Sequence, residues 1–370
     1  MTTRHDVAIL GATPCGFAAA YMLAKAKKDV VVVAAPLSSA HCPLSDWVSA
    51  DFFHLARLPA GLAKAAKAKP FKTIHYHNVA LDNCVKHPKR SVLGYFLPPS
   101  ALTAALAAAA KKAGVRVRPS TTTPVIELEE DRIVLAGSSE VAAKLLIVVD
   151  GQPYDVLSDL GLATRTPRAA PLMVAGLDIP CDRADDGALH VVEEPERSEM
   201  GMFFAVGGHL HLRLISTSPA AGTRAAELSA LLGRLQQTGV LPANLPLHRA
   251  RGAVWRPPAG MAMELETHVA KRCLLAGTAG GFAEAVTGQA AYTAVTSALV
   301  AAEVAAKALA EPDVHATLLD FRTSWRRQLE QRLLRPGTSL QVLLPLVFAN
   351  PKVAQRLTAI LLRGQDIAES

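Results

Sequence analysis

The chain has 370 residues, of which half are hydrophobic, and a net charge of +7. This length exceeds what one small core requires and favours two interleaved domains. The positive charge is moderate, is spread along the chain and accompanies no known motif, which argues against a nucleic-acid-binding face.

The first predicted element is a strand, turn and helix over residues 6–24, with the sequence DVAILGATPCGFAAAYMLA. This pattern opens a βαβ dinucleotide-binding unit, in which the helix N-terminus and its dipole hold a pyrophosphate. Gly11 and Gly16 occupy the first and third glycine positions. Thr13 occupies the second, where a phosphate normally approaches the backbone. The candidate cofactor contacts in this turn are Gly11, Thr13, Pro14, Cys15 and Gly16.

The second predicted strand covers residues 29–34, DVVVVA. An acidic residue at the end of this strand usually accepts hydrogen bonds from the adenosine ribose. Ala34 and Ala35 stand at this position instead. Ala34 is kept as a candidate contact, without the ribose carboxylate.

Two pairs of histidines have the spacing of one strand face. His75 and His77 flank Tyr76, and His209 and His211 repeat the pattern. A metal pair needs such a spacing, but a polar strand face is the favoured interpretation of both pairs, because little else in the sequence supports a site. We therefore expect no metal site.

A helix is predicted over residues 100–113, ending at Gly114, and is followed by short alternating strands. These strands fit a β-meander that returns to a buried parallel strand at residues 145–149. Asp150 and Gly151 end that strand beside the expected crevice. They are candidate cofactor contacts, although an Asp-Gly turn is also common without a ligand.

Residues 164–245 indicate a second, mostly antiparallel sheet with a hairpin at Gly207-Gly208 and a helix over 223–237. The chain then returns to the first domain with a buried strand at 271–276, the turn GTAGGF and a long helix. This turn either faces a phosphate or ring, or simply packs helix on strand. Its candidate contacts are Thr278, Ala279, Gly280, Gly281, Thr287 and Gly288.

The last segment, residues 320–370, is predicted to be helical with a basic amphipathic part. The apolar face consists of Leu318, Phe321, Trp325, Leu329 and Leu333. Packing on the core is the favoured interpretation. A peripheral membrane contact through 318–362 is the alternative.

Five widely spaced cysteines, at 15, 42, 84, 181 and 273, and a first strand close to residue 1 favour a reducing, cytoplasmic location. The membrane contact would add a peripheral location. The longest apolar helical stretch, 289–310, contains Glu303 and Lys307, so it is expected to be buried and not to span a membrane.

Three blocks resemble the FAD-dependent geranylgeranyl reductase-like enzymes within the para-hydroxybenzoate hydroxylase-type flavoproteins. The family's GAGPAG corresponds to GATPCG, its ADGxxSxVRxxLG to VVDGQPYDVLSDLGL, and its GDAAGFxxPxTGEGI to GTAGGFAEAVTGQAA. The blocks occur in the family's order over residues 6–309.

The resemblance implies a Rossmann-like FAD/NAD(P)-binding domain, interleaved with a mostly antiparallel substrate domain and followed by a helical C-terminus. The expected boundaries are 1–70, 98–163 and 265–312 for the first domain, 71–97 and 164–264 for the second, and 313–370 for the helical segment. The resemblance also implies FAD as cofactor and NAD(P)H as a reductant to be tested.

The sequence departs from the family at its charged cofactor contacts, so the cofactor motifs are degenerate. The family has an acidic residue near Ala34 or Ala35, an arginine near Pro98 or Pro99 and an aspartate at Thr278. Charge-assisted hydrogen bonds contribute about 1.5–3 kcal/mol each, so three losses weaken a flavin site by several orders of magnitude.

Two main functions follow from the resemblance and its departures. The first is an FAD-dependent oxidoreductase, of reductase or monooxygenase type, acting on a hydrophobic substrate such as an isoprenoid or lipid. The alternative is a non-catalytic binding or regulatory protein that has lost FAD. A third option, another nucleotide or cofactor-free chemistry in the same cleft, has no motif of its own. No catalytic acid or base stands out.

Overall fold

The architecture was obtained as a computed structural model, which describes residues 4–35, 46–98, 100–138, 140–162, 171–181, 187–194, 200–217 and 224–364. Cys42 and Pro99, which the sequence analysis names, lie outside these ranges.

The described strands form three sheets. Their bounds are β1 Arg4–Leu10, β2 Val30–Ala34, β3 Trp47–Ser49, β4 Lys69–Phe71, β5 Thr73–His77, β6 Cys84–Pro88, β7 Gly94–Phe96, β8 Arg116–Pro119, β9 Val125–Leu128, β10 Ile133–Ala136, β11 Val141–Val148, β12 Met173–Pro180, β13 Ala188–Glu193, β14 Met200–Val206, β15 His209–Ser216, β16 Arg251–Trp255, β17 Val269–Ala270 and β18 Cys273–Leu275.

The helices lie mainly around the first sheet and at the C-terminal end. Their bounds are α1 Pro14–Lys25, α2 Leu62–Ala65, α3 Ala101–Lys112, α4 Pro153–Asp159, α5 Arg224–Gln237, α6 Ala291–Ala308, α7 Val314–Leu333, α8 Leu340–Leu346 and α9 Pro351–Arg363.

The first sheet is doubly wound around β1. The order β17-β18-β11-β1-β2-β8 places β1 between β2 and β11, with parallel pairing from β18 through to β8. The strand order reverses between β1 and β11, because the chain goes from β1 to β2 on one side and returns to β11 on the other. Ligands of such sheets bind outside the carboxyl ends of the strands at this reversal.

Alternate residues of these strands bury opposite faces. Val7 and Ile9 pack with the alanine-rich α1 and α6, whereas Ala8 and Leu10 face α4 and the meander of β9 and β10. Alanine allows helices to approach a sheet closely, which explains why α1 and α6 are almost fully buried. β9, β10 and β11 pair antiparallel in chain order, which confirms the predicted meander for these strands, and β11 pairs parallel with β1 as predicted. β8, the first of the short strands, instead pairs parallel with β2.

The second sheet has seven strands in the order β16-β12-β15-β14-β13-β5-β6, antiparallel except for the parallel β13–β5 pair. Gly207 and Gly208, both with positive φ, form the predicted hairpin between β14 and β15. The strands between residues 69 and 96 divide between two sheets. β5 and β6 join the second sheet, and β4 and β7 pair with β3 in a separate three-stranded sheet.

The apolar face predicted for the C-terminal helix is buried. Leu318, Phe321, Trp325 and Leu329 are fully buried, and α7 packs on α6. Among the described residues, no helix combines the length and the apolar character that crossing a membrane requires.

Candidate functional site

The three sequence blocks meet at the carboxyl end of β11. The amide of Val149 donates to the carbonyl oxygen of Leu10 over 3.0 Å, which joins the first block to the second. The amide of Thr278 donates to the carbonyl oxygen of Val149 over 3.1 Å, which joins the third. The sequence-predicted residues Gly11, Asp150, Gly151 and Thr278 are therefore brought together, although up to about 270 positions separate them.

The first turn is shaped by its own contacts. A Cβ atom on Gly16 would lie 2.1 Å from the carbonyl oxygen of Gly11, so only glycine fits there, with or without a ligand. Thr13 is the N-cap of α1, and its Oγ1 accepts the amide of Gly16 over 3.4 Å. Pro14 occupies the first turn of α1. Thr13 in place of a glycine thus satisfies an amide that would otherwise be free for a phosphate.

Cys15 is a buried thiol beside this turn. It is 1% exposed, and burial raises its pKa to about 12. It therefore packs α1 against the sheet as a neutral side chain and is not a nucleophile.

A cavity of about 110 Å³ lies where the strand order reverses. Gly11 and Gly151 line it from the ends of β1 and β11, together with Asp150 and Ala35. Ala34, the residue named from the sequence, does not line it; the next residue does, because consecutive residues of an extended chain point in opposite directions. Among the described residues, no basic side chain lines this cavity, while Asp150, Asp155 and Asp159 do, so a phosphate there would depend on backbone amides.

The third block has two parts with different surroundings. Thr278, Ala279, Gly280 and Gly281 form a buried turn after β18, and the Thr278 hydroxyl donates to the carbonyl oxygen of Val149 over 3.4 Å. Thr287 and Gly288 lie further on, against the second sheet. A Cβ atom on Gly288 would lie 2.6 Å from Cγ of Pro257, so protein packing also accounts for this glycine.

A second cavity, of about 30 Å³, lies between Thr287-Gly288 and the second sheet. Its walls are mostly apolar and aromatic, with Trp47, Met202, Phe204 and Trp255 among them. Gln289 also lines it, and the side-chain oxygen of Gln289 is buried with no hydrogen-bond partner among the described residues. A buried acceptor without a partner costs free energy, which a ligand with an N–H or O–H donor would recover.

Arg213 places a fixed charge in the wall of the second cavity. Its guanidinium pairs with Asp46 and lies 2.7 Å from Asp178, and its Cζ lies 5.6 Å from the Trp255 ring centroid. Burial by itself would raise the pKa of Asp178, but the hydrogen bond from His211 and the charge of Arg213 lower it to about 2. Sequence analysis missed this group, because no spacing rule connects residues of such distant segments.

A second ion-pair network ties the third block to the C-terminal helices. In α7, the guanidinium of Arg332 forms two ion pairs, with Nη2 2.5 Å from Oδ2 of Asp51 and Nη1 3.4 Å from Oε1 of Glu284. Its Cζ lies 3.7 Å from the centroid of the Tyr292 ring, in a cation–π contact. Burial raises the pKa of Glu284 to about 7, against the charge of Arg332 and a hydrogen bond from Thr287. The network holds the loop that carries Thr287 and Gly288.

The backbone fits FAD better than the side chains do. The strand-to-helix turn and the cavity at the strand reversal are each where a dinucleotide binds in sheets of this type. The three charged side chains expected from the sequence resemblance are absent, with Ala34 or Ala35, Pro98 or Pro99, and Thr278 at those positions. The residues present therefore fit a flavin held mainly through main-chain groups and threonine hydroxyls.

The solved structures that resemble this chain include flavin-dependent enzymes. The chain superposes on a geranylgeranyl bacteriochlorophyll reductase-like protein from Thermoplasma acidophilum with a TM-score of 0.74 and 16% identity, over 98% of this chain and 97% of the other. It superposes on the p-nitrophenol 4-monooxygenase PnpA of Pseudomonas putida with a TM-score of 0.67 and 16% identity, over the full length of both. The flavin-dependent halogenase CmlS gives 0.68 and 16%, over 90% of this chain and 64% of the halogenase.

These similarities confirm the fold that the resemblance predicted. The chain has the α/β architecture of these three proteins. No protein-family model matches it, and a search of curated proteins finds no significant match. At this identity, what the chain binds and does must be argued from its site.

Proposed function

We propose that this chain is an FAD-dependent oxidoreductase acting on a hydrophobic substrate. The observation that carries the proposal is the cavity between Gly11 and Asp150-Gly151, at the strand reversal of a flavoprotein fold. The second cavity supports it, because an apolar, aromatic wall faces the loop of Thr287 and Gly288.

The residues of the first cavity would bind the cofactor, and those of the second would contact the substrate. The end of β1 and the α1 N-terminus would hold the pyrophosphate through amides, and Asp150 would accept hydrogen bonds from hydroxyl groups. Bound FAD would supply the hydride transfer itself. Trp47, Phe204 and Trp255 would exclude water from the reacting centre, and Arg213 would orient any polar end of the substrate.

The substrate class is drawn from the second cavity. Its walls suit an isoprenoid, lipid-like or aromatic molecule, and NAD(P)H would serve as the reductant.

The domain boundaries expected from the sequence, and a peripheral membrane contact through 318–362, stay predictions. The five residues of the expected membrane face are buried in the protein, so such a contact would use exposed apolar residues such as Leu319 and Val342.

An anaerobic reduction experiment tests the activity. The protein loaded with FAD is mixed with NADPH or NADH while the flavin absorbance is followed, and a hydrophobic alkene or oxygen is then added. We expect the absorbance to fall with the reductant and to return with the second substrate. Bound flavin that neither nicotinamide reduces would contradict the use of NAD(P)H. Reduced flavin that oxygen and every hydrophobic substrate leave unchanged would contradict an oxidoreductase of this type.

A further inference from the structure

Three histidines from two distant segments meet in the second sheet. His75 on β5 lies directly opposite His190 on the neighbouring strand β13, and His77 follows on the same face of β5. Nε2 of His77 lies 2.9 Å from Nδ1 of His190, and the ring centroids of His75 and His190 are 4.7 Å apart. One ring nitrogen from each histidine lies within 4.8 Å of the other two.

The surroundings hold the rings in place and leave one approach open. His77 is 6% and His190 is 8% exposed, and the ring of Phe203 stacks on His190 with centroids 4.1 Å apart. On the other side, β6 places Cys84 and Lys86 opposite His77 and His75. Both β6 residues are exposed, so Lys86 can direct its charge into water and the cluster can be reached from the sheet edge.

This cluster and the second cavity lie on opposite faces of the sheet. Met202 and Phe204 line the second cavity, whereas Phe203, between them in sequence, stacks on His190. Consecutive strand residues point to opposite faces. A ligand of the three histidines would therefore not contact the proposed flavin or its substrate.

Three converging imidazoles match the ligand set of a divalent metal ion. Neutral imidazole suits Zn²⁺, Cu²⁺ and Ni²⁺, and three histidines with one open position is a known zinc arrangement. Zinc–nitrogen distances of about 2.0–2.1 Å place tetrahedral ligand nitrogens about 3.3 Å apart. The three nitrogens now lie within 4.8 Å of one another, so metal binding requires the rings to move closer together.

We propose that His75, His77 and His190 bind a divalent metal ion, zinc foremost, at the edge of the second sheet. The ion would join β5 to β13, whose bonded histidines are 113 positions apart in the chain. It would stabilise this parallel pair, because a ligand of the folded state alone shifts the folding equilibrium. A hydrogen-bonded histidine cluster without metal is the competing interpretation.

Zinc titration of the untagged, chelator-treated full chain tests the site. Calorimetry is expected to give one ion per chain with micromolar affinity or tighter, and zinc is expected to raise the unfolding temperature. Co²⁺ in place of zinc is expected to give a visible ligand-field spectrum. Absence of saturable binding, or binding by the wild type without any rise in unfolding temperature, would overturn the proposal.

Matched glutamine variants locate the binding. His77→Gln and His190→Gln are each expected to weaken zinc binding at least about tenfold, which corresponds to about 1.4 kcal/mol. His75→Gln, at the most accessible of the three positions, provides the same test if a buried variant does not fold. His209→Gln, on the same sheet but outside the cluster, is the control and is expected to keep wild-type affinity. Equal affinity in His75→Gln and His209→Gln would contradict the assignment.

Discussion

At the scale of single residues, Thr13 marks how this chain differs from the usual glycine-rich turn of dinucleotide-binding folds. Its hydroxyl caps α1 by accepting a hydrogen bond from the Gly16 amide, so threonine at this glycine position stabilises the helix N-terminus. The same close packing rules out Gly16 as a probe of flavin binding, because a side chain there would collide with the backbone of the turn. Ala35, at the rim of the first cavity, is a cleaner position to test.

Ala35→Glu restores a carboxylate where related folds bind the ribose. We expect it to tighten FAD binding roughly tenfold or more, because a charged hydrogen bond contributes about 1.5–3 kcal/mol. Flavin fluorescence titration measures the change. Ala34→Glu is the matched control, since Ala34 does not line the cavity. Equal effects of the two substitutions would mean that the ribose does not lie at this rim.

Glu284→Gln tests the buried carboxyl behind the third block. Burial raises the pKa of Glu284 from 4.5 to about 7, so within this window the folded chain holds a proton that the unfolded chain has released. Stability from this group is present at low pH and falls as the pH rises from about 4.5 to 7. We expect the free energy of unfolding of the variant to lack this part of the decrease with pH.

Urea unfolding at several pH values between 4.5 and 7 measures that slope, and the difference between wild type and variant is the quantity to compare. Other described groups contribute in the same range, Glu194 and His268 among them. Burial raises the pKa of Glu194 to about 7, which adds a slope of the same sign, and it lowers that of His268 to about 4, which adds one of opposite sign. Identical slopes for wild type and Glu284→Gln would show that Glu284 is ionised throughout.

At the scale of elements, the C-terminal helices belong to the structure of the site. Arg332 of α7 bonds Glu284, Asp51 and the carbonyl oxygen of Leu362 in α9. The loop with Thr287 and Gly288 therefore depends on α7, which the sequence analysis treated as a separate segment.

Above pH 7, where Glu284 is ionised, Arg332→Met should destabilise the chain by about 3–5 kcal/mol, because it leaves Glu284 buried without its counter-charge. Chemical denaturation measures this loss. Adding Glu284→Gln to Arg332→Met should recover part of it. Arg327→Met, on the exposed side of the same helix, is expected to change stability by no more than about 0.5 kcal/mol. A loss of that small size for Arg332→Met as well would contradict the role of the ion pair.

The local sequence pattern predicted the helices and strands better than the clusters of side chains that they bring together. The first strand, turn and helix, the Gly207-Gly208 hairpin and the apolar face of α7 follow from spacing within one segment, and the structure confirms them. The division of the stretch before residue 97 between two sheets depends on pairing with β3 and β13, which no local pattern contains. For the same reason, the spacing of His75 and His77 did not indicate that His190 lies beside them.

At the scale of the whole molecule, two small cavities belong to one proposed flavin site. Their volumes of about 110 and 30 Å³ are well below the ~300 Å³ of the smallest drug-sized pockets. Pro257 and Leu172 pack against the backbone of Gly288 where a flat ligand would approach. Binding of a whole FAD therefore requires these side chains to move outward, and the free energy of that movement reduces the apparent affinity.

The visible absorption spectrum of the freshly purified protein, followed by titration with FAD, tests the central claim most directly. If main-chain groups hold the flavin, we expect a yellow protein, or saturable FAD binding in the low micromolar range or tighter. This affinity corresponds to a binding free energy of about −8 kcal/mol. A colourless protein that does not bind added FAD would contradict the account. The alternative would then hold, in which the fold serves as a binding or regulatory protein without its cofactor.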